Sequence, residues 1–297
     1  MLKLSFLRLS TLLLRILAVA LCVGLFACDD SEETGETIGY NCAGELKTGS
    51  TSTFSISGYV KDGKTGNKQS GSVLLYDSLG VSLLGDSSVS SSSKYSFSGL
   101  TPSWYILKAD ISDYTTVPDK KCLTTSSTSK DLIALKSSQA TNANVIVLTW
   151  GDSSSGAPKD LDSHLQADSA SSASPSHVYY PSNNQGSSSA WAMLDIDNTN
   201  YSGPETITIN LDSSSGPMRN SVSKACYYVR IYTNNYSFSQ TGAQVQLFQS
   251  DGTVLTNFDA PTDTTYTTKP YWHVFDLDSN LNITIKNTVS SSAPTCS

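Results

Sequence analysis

Apolar and polar residues alternate over short stretches of the chain, as in Thr53-Phe-Ser-Ile-Ser-Gly-Tyr-Val60, and the alternation is cut by turn-rich pieces such as Lys61-Asp-Gly-Lys-Thr-Gly66 and Ser250-Asp-Gly252. A period of two puts successive side chains on opposite faces of a strand, so each stretch predicts a strand with one face turned to a core. In the first half the pattern predicts strands over 53–60, 72–76, 94–100, 104–109 and 131–135. In the second half it predicts them over 145–150, 161–166, 177–180, 191–196, 205–210, 225–232, 243–249, 271–277 and 281–286. No helical periodicity follows the N-terminus. The chain therefore reads as all-β, with two β-sandwich domains in tandem after a cleaved signal peptide.

The N-terminus has a different character. Lys3, Arg8 and Arg15 precede an apolar run, 16–27, of signal-peptide length and too short to span a bilayer. The run ends Leu25-Phe-Ala-Cys28, which resembles a bacterial lipobox and makes Cys28 the expected site of lipidation. The organisation that follows is a signal peptide over 1–27, an acidic flexible tether over 28–41, one domain over 42–136, a polar linker over 137–143 and a second domain over 144–297. Export and a membrane contact through the lipid are implied. With Cys22 discarded and Cys28 acylated, Cys42, Cys122, Cys226 and Cys296 remain. Four cysteines in an exported chain predict two disulfides with three possible connectivities; proximity along the chain favours Cys42 with Cys122 and Cys226 with Cys296.

Charge adds an exclusion. The net charge is −7, with only 15% of residues charged. An acidic body repels phosphates, so nucleic acid is not an expected partner, whereas cations are.

Candidate chemistry gathers in Lys159-Asp-Leu-Asp-Ser-His-Leu165. Strand alternation puts Asp160, Asp162 and His164 on one face and Leu161 and Leu165 on the other. Leu194-Asp195-Ile196-Asp197 repeats the arrangement, and Gly203-Pro204-Glu205 brings one more carboxylate to the start of a strand. Five acids converging beside one histidine need a counter-charge. A bound divalent cation is the expected answer, Ca²⁺ ahead of Zn²⁺, with His164 as an outer partner. The bland alternative is that several of these acids face water or tie turn backbones.

Two resemblances bear on fold. Ile56, Gly58, Val60, Val73, Leu75, Tyr95, Phe97, Gly99, Leu100 and Tyr105 resemble the pattern of the carboxypeptidase regulatory-like domain, which implies a transthyretin-like sandwich serving as a spacer or accessory module. Leu148, Trp150 and Gly151, the 160–164 motif, His177-Val-Tyr-Tyr180, Leu194–Asp197, Gly203–Glu205 and Trp272-His-Val-Phe275 together resemble the YfaP-like family of bacterial extracytoplasmic domains, which implies an exported β-sandwich of undefined role.

Catalysis is not expected. The chain has no Gly-x-Ser-x-Gly elbow, His-Glu-x-x-His pair or phosphate-binding glycine loop, which leaves a metal-dependent hydrolase as a remote alternative. His273, between Trp272 and Val274, reads as a buried hydrogen-bonded residue, and His177 as one that orients a strand edge. Tyr179, Tyr180, Tyr201, Tyr232 and Tyr236 with their polar neighbours suggest a carbohydrate or peptide surface instead. An envelope protein or a glycan is the partner such a surface implies.

Overall fold

The computed structural model describes residues 39–40, 46–47, 52–124, 126–127, 130–136, 138, 142–168, 170–171, 176–183, 190–211, 222–249 and 254–296. The expected signal peptide, Cys28, most of the tether and Cys42 lie outside them. Gly39–Ser297 forms one compact unit. It is all-β, and no helix among the described residues is long and apolar enough to cross a membrane.

The first half supplies β1 (Gly39–Tyr40), β2 (Leu46–Lys47), β3 (Phe54–Gly58), β4 (Val60–Asp62), β5 (Gly71–Tyr76), β6 (Leu83–Val89), β7 (Tyr95–Leu100), β8 (Ser103–Asp110), β9 (Tyr114–Thr116), β10 (Asp119–Leu123) and β11 (Leu132–Lys136). A sheet in the order β10-β8-β5-β6 faces the pair β3-β7 and the sheet β4-β11-β9 across a core that includes Ile56, Val73, Leu75, Tyr95, Leu107 and Leu132.

The second half supplies β12 (Ala143–Thr149), β13 (Leu161–Ala167), β14 (His177–Val178), β15 (Ala192–Ile196), β16 (Glu205–Asn210), β17 (Lys224–Ile231), β18 (Gln244–Phe248), β19 (Val254–Asp259), β20 (Tyr271–Asp278) and β21 (Ile283–Ser290). They form two five-stranded sheets, β15-β16-β12-β18-β19 and β14-β13-β17-β20-β21. Between these lies a core built on Trp191, Trp272, Tyr227, Phe238 and Phe275. Large rings dominate it because each buries more apolar area than an aliphatic side chain, about 150–250 Å².

β12 has no polar face. Every residue of it is buried: Ile146 and Leu148 point into the sandwich, while Val145 and Val147, with Phe248 of β18, pack on Val117, Ile133 and Leu135 of the first half. Strands covered on both sides lose alternation and become continuous apolar runs. Polar contacts complete this junction. Lys61 Nζ donates to the Gly203 carbonyl (3.0 Å), Thr206 Oγ1 donates to the Gly63 carbonyl, and Asp62 Oδ1 accepts from the Lys64 and Thr65 backbone N–H groups (2.8 and 2.9 Å), fixing the turn that carries Gly63. Gly203 itself has φ of 69°, and a Cβ there would lie 2.8 Å from the Leu148 carbonyl, so only glycine fits this approach. The first half thus holds the turn from which Glu205 enters β16.

Candidate functional site

β13 follows the predicted alternation. Leu161 and Leu165 are fully buried in the sandwich, and Asp162 and His164 lie on the outer face, opposite Arg230 and Tyr228 of β17. Asp160 immediately precedes the strand, and its carbonyl accepts from the Tyr232 N–H (3.2 Å), tying the two ends of the hairpin-like pair together. An open cleft of about 160 Å³ forms there, lined by Asp160, Asp162, Tyr180, Asp197, Thr199 and Tyr232. Lys269 Nζ sits 4.5 Å from the Tyr232 ring centroid.

Glu205 lies behind this cleft and is 1% exposed. Its Oε1 accepts from the Ser163 backbone N–H (2.6 Å), while Oε2 is buried without a hydrogen-bond partner. Burial first, then the charges of Asp162, Asp197 and Asp160, push its pKa well above the carboxylic range. Asp162 rises to about 7, again through burial and then the Asp160 charge, with Arg230 and Lys269 only partly opposing. Asp160 and Asp197 are also raised, both chiefly by burial, and Asp160 Oδ1 is a further buried oxygen without a partner. Four carboxyl groups therefore share one region in which the available cations do not balance them.

Asp195 is not part of the group. β15 carries a bulge between Leu194 and Ile196, which breaks the period of two that the sequence pattern assumes. Asp195 instead accepts from Thr208 Oγ1 and pairs with Lys64 of the first half (3.5 Å). Burial raises its pKa, with Thr208 and Lys64 opposing, and none of the cleft acids contributes.

His164 also departs from the expected role. Its Nδ1 lies 2.9 Å from His177 Nε2, and its ring stacks on Tyr228 and Tyr179 with centroids 4.8 and 5.2 Å apart. Burial, then the neighbouring His177 charge, lowers its pKa to about 3; burial lowers His177 to about 4. Both imidazoles are neutral near pH 7 and belong to an aromatic stack. Sequence reasoning passed over Arg230, Thr199 and Lys269. For Arg230 the usable signal was the register, which sets it across from Asp162.

Farther along the same outer face, His273 Nε2 donates to Asp276 Oδ1 (2.7 Å) while Lys224 and Lys286 both reach Asp276 Oδ2 (3.1 Å each). Among the described residues, Cys226, His273 and Asp276 are the one group whose three ligand atoms all lie within 4.8 Å of one another. Cys226, however, is bonded to Cys296, as expected from chain proximity, and Cys122 is also disulfide-bonded. The oxygens of Asp276 are already taken. No three acids of the cleft bring their ligand atoms within 4.8 Å of one another.

No protein-family model matches the chain, and no curated protein matches it. Solved structures that are similar include a protein of unknown function, SAV2460, at 17% identity and a TM-score of 0.37 over 52% of this chain and 93% of that one. A homologue of the telluride resistance protein TerD from Streptomyces coelicolor matches at 12% identity and a TM-score of 0.33, over 52% of this chain and 92% of its own. BcpA, the major pilin subunit of Bacillus cereus, matches at 8% identity and a TM-score of 0.27, over 71% of this chain and 68% of its own. None of these likenesses speaks to chemistry. The resemblances of the two halves to regulatory-like and YfaP-like domains rest on the residues quoted for them.

Proposed function

We propose that the chain is a non-catalytic binding or structural module of a bacterial cell envelope, anchored through lipid on Cys28, whose distal YfaP-like half takes up a divalent cation. Asp160, Asp162 and Asp197 are the first ligands, with Glu205 behind them. Ca²⁺ is preferred over Zn²⁺ because the cleft is lined by carboxylate and hydroxyl oxygens and His164 is not among its lining residues. The observation that carries this reading is the pair of buried, partnerless oxygens, Glu205 Oε2 and Asp160 Oδ1, beside carboxyl groups whose pKa values are all raised. Such a set is comfortable when protonated or when a cation is present.

Calorimetric titration of residues 29–297 tests it. One Ca²⁺ site is expected, lost in Asp162→Asn and retained in Asp195→Asn; flat traces with both Ca²⁺ and Zn²⁺ overturn the reading. A second reading, a carbohydrate or peptide surface, draws on Tyr180 and Tyr232, which are 48% and 44% exposed at the rim of the same cleft. Glycan-array binding by the same fragment supports it, and binding that vanishes with Tyr180→Ala while Ca²⁺ uptake persists separates the two.

A further inference from the structure

The turn between β5 and β6 displays apolar side chains where none are needed for folding. Leu79 and Val81 are 80% and 78% exposed, and Leu83 and Leu84, at the start of β6, are 56% and 52% exposed. Among the described residues, the only other large aliphatic side chain left so open is Ile285. β6 is the edge strand of its sheet, so no neighbour in the sheet covers it.

The display is built rather than loose. Asp77 Oδ1 accepts from the Leu79 and Val81 backbone N–H groups (3.2 and 3.0 Å), the Asp77 carbonyl accepts from Gly80 N–H (3.0 Å), and Asp77 N–H donates to the Ser82 carbonyl (3.1 Å). Gly80, with φ of 72°, makes the reversal, and Tyr76 pairs with Leu83 to close it. The backbone that carries Leu79 and Val81 is thereby ordered before any binding, which lowers the ordering cost.

The composition selects the occupant. Ser78-Leu-Gly-Val-Ser-Leu-Leu84 has no aromatic ring and no charge. Protein hot spots are rich in Trp, Tyr and Arg and poor in Leu, Val and Ser, whereas Leu and Val partition favourably into hydrocarbon. Asp77 and Asp86 flank the apex and no basic residue lies within it, so a surface of anionic lipid is disfavoured and a zwitterionic one fits. The chain length agrees. Ten residues lie between Cys28 and Gly39, eleven Cα–Cα steps, at most about 40 Å when extended. β1, which starts at Gly39, lies against β8, the strand beside β5.

We infer that the Leu79–Leu84 turn inserts into a neutral lipid surface, the one that holds the lipid on Cys28. This makes the first half a second membrane contact that orients the distal cleft, and it rests on the anchored reading for which membrane is involved.

The test supplies the tether independently of acylation. Residues 29–297, which contain the whole compact unit, carry an N-terminal hexahistidine tag and are held on phosphatidylethanolamine/phosphatidylcholine vesicles containing a nickel-chelating lipid. Emission of Leu79→Trp, above that of the parent protein, is expected to be quenched at least twofold by brominated lipid, and Val81→Asp in the same chain is expected to abolish the quenching without lowering Tm. Equal emission with and without bromine while the tag holds the protein overturns the inference, as does stronger tag-free binding to anionic than to zwitterionic vesicles. A dimer in solution that disperses with Leu79→Asp also overturns it, in favour of self-association. Mass spectrometry of the mature N-terminus tests acylation at Cys28 separately, so failure of the anchor and failure of the turn are told apart.

Discussion

Asp162 on β13 and Asp276 on β20 lie on the same outer face of one sheet and are almost equally removed from water, 5% and 3% exposed. They are treated in opposite ways. Burial alone raises both, but Lys286, Lys224 and His273 outweigh it at Asp276 and bring its pKa below the usual carboxylate value. At Asp162 the largest effect after burial comes from another acid, Asp160, and the pKa climbs to about 7. One carboxylate is neutralised by its own chain and acts as structure. The other is not neutralised by its neighbours and is pushed toward its protonated form. Burial of an acid is therefore a poor guide to function by itself; the partners that remain around it decide.

Breaking the neutralised end should cost the most stability. The Cys226–Cys296 bond spans 70 residues and, with Tyr228 and Tyr271, forms a small cluster on that face. Cys226→Ala/Cys296→Ala is expected to lose about 4 kcal/mol in denaturant unfolding, by the chain-entropy relation for a loop of that length. Asp276→Ala comes next, at about 2–3 kcal/mol, because it removes three bonds at once and leaves Lys224 and Lys286 facing each other. Both lysines are about one-third exposed (side chains 32% and 35%), which keeps the loss at the lower end.

Relieving the open end should do the reverse. Asp162→Asn is expected to gain about 1–2 kcal/mol at pH 7.5 without divalent ions. The sign follows from the pKa. A carboxyl raised from 3.8 to about 7 on folding favours the protonated chain, so its contribution is greatest below pH 4 and is lost as pH rises toward 7. Asp276 has the opposite signature: its folded pKa is depressed, and its contribution is present above pH 4 and lost as pH falls below that. A Tm profile from pH 3 to 8 should show both, the upper limb flattened by Asp162→Asn or by Ca²⁺ and the lower limb by Asp276→Ala. Smallest of all is Lys64→Ala, which breaks the pair with Asp195 at the junction of the two halves and should cost under about 1 kcal/mol.

The sequence made the sheet faces easier to read than the ends of strands. Leu161, Asp162, His164 and Leu165 fall on the expected sides because β13 is regular along its length. Asp195 does not, because the bulge in β15 adds one residue and turns it to Lys64, and no alternation rule marks a bulge in advance. β6, β10 and β19 were passed over for another reason. Leu83-Leu-Gly-Asp-Ser-Ser-Val89 is an edge strand with little to bury, and Asp119-Lys-Lys-Cys-Leu123 is too polar for its pattern to stand out. Glu205 was legible as an acid at a strand mouth. Its burial was not, since that depends on Lys61 and Gly63 bracing a turn about 140 residues away, separations of 142 and 143. The pairing of His164 with His177 likewise needed the short β13–β14 ladder to bring them together.

Proton release on ion binding tests the central claim most directly. If Asp162 and Glu205 are held protonated for want of a counter-charge, Ca²⁺ must displace protons as it binds. Titration calorimetry of residues 29–297 at pH 6.5, in two buffers of different ionisation enthalpy, is predicted to show protons released with each ion, the same release in Asp195→Asn and no binding heat in Asp162→Asn. Ca²⁺ that binds with no proton release, or no binding heat in either buffer, would contradict it.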